Sequence, residues 1–372
     1  MLGERVTEDA VPRNLIICLD GTSNGPETGA TNVSRMYDIA QKSDDQLCYY
    51  DAGVGTMGAR GALTLFGQTW TKAAGLIAGF GLSENIQEAY AWLSQTYRAG
   101  DAIYVFGFSR GAYTARALAG MLRKVGLVRP GLDNLAPYAF KLYEKNPGKP
   151  GKRGDAAASR REKRYWMLHD EFLRQFGNPD FPLPNSAQRQ VRFLGVWDTV
   201  QATGWLNVLW GANPRIWPFT RRVDNVQTAR HALAIDERRR PYSPSRFMHP
   251  SGPKSMDHRE MWFAGTHSDV GGRPPHDHQL SDIALAWMVK EAQSTGFLVD
   301  HERYASQLRC SFDEELPAGT ALGRIHQSRP AWLLAGGWRV RPIPPGDLVH
   351  PSVRYRIEHT ADSDNPYRPP LH

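Results

Sequence analysis

Five short, largely apolar runs are separated along the chain by stretches of mixed polarity. Each has four to seven residues and ends at turn-forming or polar residues, as strands buried on both faces of a sheet do. The runs therefore predict five strands, which cover Asn14 to Leu19, Leu47 to Tyr50, Ala102 to Gly107, Val191 to Trp197 and Glu260 to Ala264.

Between the second and third runs, an amphipathic helix is expected to begin at Ser83, a residue suited to capping a helix. The preceding stretch from Gly53 to Gly81 is rich in glycine and predicts a long loop with at most a short helix. The helix repeats apolar residues at helical spacing, so one face should pack against the sheet. That face carries Ile86, Ala89, Tyr90, Leu93 and Tyr97.

Further helices are predicted after the remaining strands. One follows Gly111 and ends at Gly126, one covers Tyr165 to Phe176, and one covers Leu280 to Ala292 with Ser281 as a cap. Strands that alternate with helices predict an α/β fold, with a mostly parallel central sheet and helices on both faces. No internal repeat or clear linker is present, so we expect a single domain over residues 1–372.

Two segments should depart from this central fold. Residues 146–164 lose hydrophobic periodicity and are rich in glycine, proline and positive charge, which predicts a solvated basic insertion. Residues 205–222 include the tryptophan-rich stretch from Trp205 to Phe219. This stretch suits a lid or an acyl-chain pocket, and ordinary core packing is the alternative.

The third strand leads into Gly107-Phe108-Ser109-Arg110-Gly111 and then into a helix. This order is typical of a nucleophile elbow, in which a sharp turn presents a serine hydroxyl and flanking glycines allow close backbone approach. Ser109 is therefore the candidate nucleophile.

A serine nucleophile needs a histidine base and a carboxylate that orients the histidine. Asp198 and His267 follow the fourth and fifth strands, and the order serine, acid, histidine is that of α/β hydrolases. Alternatives remain: His350 or His231, the latter on a predicted helix, could be the base, and Asp269 could be the acid.

The oxyanion of such a reaction is usually held by backbone amides. The amide of Arg110, which follows the nucleophile, and an amide from Gly21 or Thr22 are the candidates. The Asp20 to Asn24 segment that follows the first strand is equally typical of an ordinary turn.

Two other functions fit parts of the sequence. His267, Asp269 and the run His276-Asp277-His278 contain metal-binding residue types, so a metal-dependent hydrolase is one alternative. A catalytically inactive binding module with the same fold is the other. The serine mechanism itself requires no cofactor.

Five motifs are spread over most of the chain: LDGTSN at 19–24, GFGLSENIQEAY at 79–90, FGFSRGAYTARALAGML at 106–122, FLGVWDTV at 193–200 and WFAGTHSDVGG at 262–272. Together they resemble the DUF2235 family of α/β hydrolases, which includes the type VI secretion phospholipase effectors of the Tle1 group. The resemblance implies an α/β-hydrolase-like fold, Ser109 as nucleophile, Asp198 as acid, His267 as base, and a lipolytic activity such as that of a phospholipase or esterase.

Composition limits the cellular compartments in which the protein is expected and the partners it is expected to bind. The chain has 372 residues, 41% of them hydrophobic, and three widely spaced cysteines, which favours a globular protein in a reducing compartment. No signal peptide or membrane-spanning run is recognisable, so we expect a cytoplasmic protein, with export by a specialised secretion system as an option.

The net charge of +7 favours contact with an anionic membrane surface, for which Arg215, Arg221, Arg222 and the 152–164 cluster are candidates. A solvated basic face without a specific ligand is the alternative. We expect a lipid or small ester as substrate and no nucleic-acid partner. The oligomeric state is not predicted.

Overall fold

The computed structural model describes residues 12–21, 30–53, 70–146, 156–183, 186, 188–200, 217–248, 256–272, 277–327 and 337–371, with backbone alone at 70–80. Within them, seven strands form one sheet in which every neighbouring pair is parallel. The order across the sheet is β2-β1-β3-β4-β5-β6-β7. The strands are β1 Asn14–Leu19, β2 Gln46–Asp51, β3 Ala102–Phe108, β4 Val191–Trp197, β5 Val226–Ala234, β6 Asp257–Phe263 and β7 Leu348–Val349.

Helices cover both faces of this sheet, as the alternating pattern predicts. They are α1 Asn32–Ile39, α2 Trp70–Thr96, α3 Arg110–Val125, α4 Ala136–Glu144, α5 Ala156–Phe176, α6 His267–Gly271, α7 Gln279–Gln293, α8 His301–Leu308 and α9 Pro351–His359. The expected α/β-hydrolase-like fold class is confirmed. No helix among the described residues is both long enough and apolar enough to cross a bilayer.

The two-residue period of the strands divides the core into two main clusters. Leu15 and Ile17 of β1 pack in one cluster with α2, α3, α4 and α5. Ile16 and Cys18 point to the other face and pack with α1, α7 and α8. Full burial of an aliphatic side chain of this size stabilises a fold by about 1.5–3 kcal/mol, so both faces of the sheet contribute.

The parallel register brings the carboxyl ends of the central strands to one edge. Leu19 pairs with Gly107, Phe108 with Trp197, and Trp197 with Ala232. The residues that follow β1, β3, β4 and β6 therefore emerge at the same edge, where ligands bind in open parallel sheets.

The helix predicted from Ser83 is longer than expected. It begins at Trp70, so the prediction of a loop as far as Gly81 is wrong for residues 70–81 and Ser83 is not a cap. Each glycine in a helix costs about 1 kcal/mol relative to alanine. Extending an existing helix avoids a new nucleation step, which explains why glycine-containing turns can remain helical. The predicted face, which includes Ile86 and Leu93, is buried.

β5 corrects a second expectation. His231 was predicted on a helix, but it lies in this strand, between β4 and β6. The sequence TARHALA favours a helix by local propensity. Backbone pairing on both sides and complete burial override that propensity here.

Other boundaries shift by smaller amounts. α7 begins at Gln279, and Ser281 lies inside it with its hydroxyl donating to the His278 carbonyl, so Ser281 is not the cap. α5 begins at Ala156, inside the segment 146–164, and all side chains from 156 to 164 except Ala158 are exposed. Residues 147–155 lie outside the described chain.

Candidate active site

Ser109 occupies the sharp turn between β3 and α3. Its backbone has φ +58° and ψ −118°, a conformation that residues other than glycine rarely adopt. The amide of Ser109 donates to the carbonyl of Trp197 at 3.1 Å, which anchors the turn to the end of β4. Strain of this kind occurs at functional sites where surrounding contacts hold it in place.

The two glycines of the turn permit close backbone approach. A Cβ on Gly107 would lie 2.5 Å from the carbonyl oxygen of Gly111, and one on Gly111 would lie 2.1 Å from that of Leu19. Neither space admits a methyl group. The first turn of α3 can therefore pack directly on the end of β1.

The structure brings Ser109, His267 and Asp198 together through two hydrogen bonds. His267 Nε2 lies 2.8 Å from Ser109 Oγ, and His267 Nδ1 lies 2.6 Å from Asp198 Oδ2. The neutral imidazole that fits these partners donates from Nδ1 to the carboxylate and accepts from the serine at Nε2. Asp198 is fully buried, whereas Ser109 is partly accessible.

Asp198 is held ionised by its surroundings. Burial opposes its ionisation, but the Arg341 guanidinium and the hydrogen bond from His267 lower the pKa of Asp198 well below its ordinary value. Arg341 donates to Oδ1 at 2.6 Å and to Oδ2 at 3.0 Å. The amide of Ala234, at the end of β5, donates to Oδ1 at 3.1 Å.

The imidazole of His267 lies in an enclosed, partly aromatic environment. Burial lowers its pKa below the ordinary value, and the hydrogen bond to Asp198 opposes that shift. The Phe108 ring lies 4.6 Å from the imidazole, and Tyr242 meets it edge-on at 5.0 Å. A lowered pKa keeps the ring neutral at neutral pH, as a general base must be.

A second ion pair supports the start of α6. Glu237 accepts from the His267 amide at 3.3 Å and pairs with Arg239 at 2.7 Å. Burial raises the pKa of Glu237, but the hydrogen bond and charge of Arg239 more than offset this, so the net shift is downward. The backbone of the histidine is thus fixed separately from its ring.

The residues proposed for the oxyanion lie at the ends of β1 and β3. The Gly21 amide donates to Asp20 Oδ1 at 2.7 Å, while Thr31 and Tyr50 donate to Asp20 Oδ2 at 2.5 and 2.9 Å. Asp20 therefore organises the turn after β1. Arg110 is the first residue of α3. Thr22 lies outside the described residues.

The competing histidines have other partners. Burial lowers the pKa of His350 to about 4, and its ring stacks on Phe263 at 4.8 Å while its Nδ1 accepts from the Ser352 amide. His231 Nε2 accepts from the Thr199 amide at 3.1 Å, and its Nδ1 donates to Glu260 at 2.8 Å. His231 therefore supports the loop beside Asp198.

Asp269, the alternative acid, belongs to a different pair. As the third residue of α6 it completes a capping box, in which its Oδ2 accepts from the amide and hydroxyl of the cap residue Thr266, and its Oδ1 lies 2.6 Å from His326 Nδ1. Among the described residues, the competing residues His350, His231 and Asp269 have no hydrogen bond to Ser109.

The structure describes only some of the candidate metal ligands and part of the tryptophan-rich segment. Among the described side chains, no group of three or more His, Cys, Asp or Glu could hold a metal ion. His276 lies outside them, as do residues 205–216 of the segment 205–222. Trp217, in the described part of that segment, stacks on Tyr113 at 5.3 Å and packs against the core.

Arg341, Glu237 and Arg239 were not identified from the sequence. Arg341 lies in Trp338-Arg339-Val340-Arg341, where the neighbouring Arg339 is exposed. No local feature distinguishes the buried arginine from the exposed one. Glu237 and Arg239 are close in sequence to each other but distant from His267.

Comparisons with known proteins identify the relatives of this chain. The family model described as "T6SS, Phospholipase effector Tle1-like, catalytic domain" matches residues 13–291. Uncharacterized protein YEL023C of Saccharomyces cerevisiae is 33% identical over 238 residues, which are 61% of this chain and 31% of that protein. The chain thus spans about a third of this curated relative.

Two solved structures are similar over most of this chain. An uncharacterized protein from Pseudomonas aeruginosa has 18% identity and a TM-score of 0.40, covering 79% of this chain and 47% of that one. The Tle1 effector bound to the VgrG spike of the type 6 secretion system has 19% identity and a TM-score of 0.37, covering 71% and 51%. The chain spans about half the length of each.

Proposed function

Because the chain belongs to the family of Tle1-like type VI secretion phospholipase effector catalytic domains, we propose that it is a serine-dependent hydrolase of lipid carboxylic esters. The observation that carries the serine mechanism is the pair of hydrogen bonds at His267, which accepts from Ser109 at 2.8 Å and donates to Asp198 at 2.6 Å. The family description supports the choice of a lipid substrate.

In the proposed reaction, Ser109 Oγ attacks the acyl carbonyl while His267 Nε2 takes the hydroxyl proton. The resulting oxyanion is held by the Arg110 amide and by one amide of the turn after β1, either that of Thr22 or that of Gly21, which must first release Asp20 Oδ1. His267 then returns the proton to the leaving alcohol, and an acyl ester remains on Ser109.

Water completes the cycle by the same steps. His267 removes a proton from water, the hydroxide attacks the acyl ester, and the proton returns to Ser109 as the fatty acid leaves. Asp198 stabilises the imidazolium in both halves. Positioned donors and acceptors of this kind supply most of the rate gain in such enzymes.

We also propose that the protein contacts anionic membrane surfaces through the basic first half of α5. Arg160, Lys163 and Arg164 are exposed there. Each basic side chain near an anionic surface contributes about 1 kcal/mol, and the contribution falls with salt. Binding to phosphatidylglycerol vesicles should therefore exceed binding to phosphatidylcholine vesicles and should weaken as salt is added. Equal, salt-independent binding would contradict this.

A cytoplasmic site of synthesis followed by transfer through a specialised secretion system is proposed on the family description alone. Detection of the protein in culture medium from a strain with the secretion system, and its loss when that system is deleted, is the corresponding test.

The catalytic proposal is tested with phosphatidylcholine vesicles, phosphatidylglycerol vesicles and p-nitrophenyl butyrate as substrates. Ser109→Ala should lower turnover by several orders of magnitude on every substrate that the native protein hydrolyses. The matched control is Ser294→Ala, which removes an exposed hydroxyl at the end of α7 that donates to the Glu291 carbonyl. It should retain native turnover.

The same assay separates the two alternatives. A chelator should leave a serine hydrolase active, and full activity of Ser109→Ala combined with loss under chelation would favour metal-dependent hydrolysis. Absence of hydrolysis of any ester by the native protein would favour a binding module.

A further inference from the structure

Arg341 reaches the candidate active site from a part of the chain far from the other site residues. It lies beyond residues 13–291, the part that matches the family model, and 143 positions after Asp198. Its side chain is 4% exposed and Asp198 is 0% exposed, so the ion pair is shielded from solvent. A buried guanidinium of this kind requires a specific set of partners.

The guanidinium contacts both oxygens of Asp198. Nη1 donates to Oδ1 at 2.6 Å and Nη2 to Oδ2 at 3.0 Å, a bidentate arrangement that fixes the plane of the carboxylate. Oδ2 is also the atom that accepts from His267 Nδ1. The guanidinium therefore fixes the plane of the carboxylate whose Oδ2 accepts from the imidazole.

Two backbone carbonyls hold the guanidinium in turn. Nη1 also donates to the carbonyl of Ala234 at 2.8 Å, and Nη2 donates to the carbonyl of Tyr242. Ala234 ends β5, the strand next to Asp198 in the sheet. A lysine could supply the charge but cannot reproduce this planar set of donors.

We propose that Arg341 is a positioning residue for catalysis, which holds Asp198 charged and in the plane that orients His267. This inference rests on the proposed function, since it requires Ser109 and His267 to carry the reaction. Arg341 touches neither the serine nor the histidine by hydrogen bond in the described structure. It acts through the carboxylate.

The charge of Arg341 also affects the pH range in which His267 is neutral and can act as a base. With Arg341 present, the carboxylate is partly neutralised, so it draws a proton to the imidazole less strongly. Without that charge, an isolated buried carboxylate would favour the imidazolium, and the pKa of His267 would rise. Activity would then require a higher pH.

The test compares Arg341→Met, Arg341→Lys and the native chain by the pH profile of kcat/KM on p-nitrophenyl butyrate. Arg341→Met should lower kcat about 10- to 1,000-fold, less than the roughly 10⁴-fold loss typical of removing the triad acid. Its acid limb should move upward by about one pH unit or more, as expected for loss of a neighbouring charge. KM should change little.

Arg341→Lys separates charge from geometry and retains a cation in the buried site. We expect its acid limb to stay near that of the native chain while kcat falls, because one ammonium cannot span both carboxylate oxygens. Arg341→Ala with guanidinium chloride at non-denaturing concentration should regain part of the lost kcat.

Arg230→Met is the matched control. Arg230 is 2% exposed and pairs with Asp257 and Glu291, away from the site. It should lower Tm without moving the pH profile. If Arg341→Met fails to fold, the Arg341→Lys profile and kcat decide the matter.

The outcomes for the two proposals are distinct. Full activity of Ser109→Ala would overturn the proposed function. Loss of activity in Ser109→Ala, combined with native kcat and a native pH profile in every folded Arg341 variant, would overturn the role of Arg341 alone.

Discussion

The substitution Asp198→Asn tests both the chemistry and the energetics of the buried site. The asparagine oxygen can still accept from Arg341 and from the Ala234 amide, but the side chain carries no charge and cannot stabilise an imidazolium. Its NH₂ group also meets either the His267 Nδ1–H or the guanidinium, both of which are donors. The substitution therefore keeps the shape of the side chain but removes its negative charge.

The size of the loss in stability follows from the burial of Arg341, the partner of Asp198. Arg341 is 4% exposed and would lose its only carboxylate partner in the described structure. Removing one member of a buried ion pair typically costs about 3–5 kcal/mol. For a chain of 372 residues this corresponds to a fall in Tm of about 4–6 °C. Under the proposed mechanism, turnover should fall about 10⁴-fold, the loss typical of serine triads from which the acid is removed.

The stability effect has a defined pH dependence. The pKa of Asp198 is lowered in the folded state, so the unfolded chain binds a proton first as pH falls. Its contribution is therefore complete above about pH 5, roughly one unit above the ordinary pKa of aspartate, and is lost progressively below that. Unfolding free energies of the native chain and Asp198→Asn should converge as pH falls from 5 towards 2.

Urea unfolding at several pH values, together with turnover on p-nitrophenyl butyrate, measures all three effects. Asp257→Asn is the control, since Asp257 is 47% exposed and pairs with Arg230 outside the site, so the change should cost less than about 1 kcal/mol. A stability difference between Asp198→Asn and the native chain that stays constant from pH 5 to pH 2 would refute the reasoning. So would a turnover within a few-fold of native.

Three further predictions follow from the same geometry. The acid limb of kcat/KM should lie below the ordinary histidine pKa of about 6.5, because burial lowers the pKa of His267; a midpoint above 6.5 would contradict this. Gly111→Ala should lower both Tm and turnover, since its Cβ would lie 2.1 Å from the Leu19 carbonyl oxygen, whereas Gly319→Ala, with nothing within 4 Å of the added Cβ, should retain native turnover. Asp269→Ala should lower stability by about 1 kcal/mol by removing the capping-box carboxylate of α6 and should reduce turnover far less than Asp198→Asn; an equal loss of turnover would favour Asp269 as the acid.

The parts of the fold that the sequence predicts well are those set by local pattern. The strands that precede Ser109 and Asp198 have apolar runs ending at polar residues, and observed β3 and β4 lie at the predicted positions. Parallel pairing then places their carboxyl ends at one edge. This is why three candidates distant in sequence could be expected to meet.

The local sequence pattern predicts the wrong secondary structure where tertiary contacts determine it. β5 has the composition of a helix but is a strand because β4 and β6 pair with it on either side. The start of α2 was obscured by glycines, whose weak helix propensity is a local property. In both cases, neighbouring structure outweighs a preference of about 1 kcal/mol per residue.

The residues that support the site could not be predicted from sequence patterns, for a different reason. Arg341 and Asp198 are 143 residues apart, and their pairing depends on the fold as a whole. Nothing in the residues around Arg341 distinguishes it from Arg339. Similarly, the role of His231 in holding the Thr199 amide follows only from the position of β5 in the sheet.

Mass spectrometry after reaction with a fluorophosphonate tests the central claim most directly. The native protein should gain one adduct, located on the peptide that contains Ser109, and His267→Ala should gain it far more slowly under the same conditions. Labelling of another serine, or equal rates with and without the imidazole, would contradict the account.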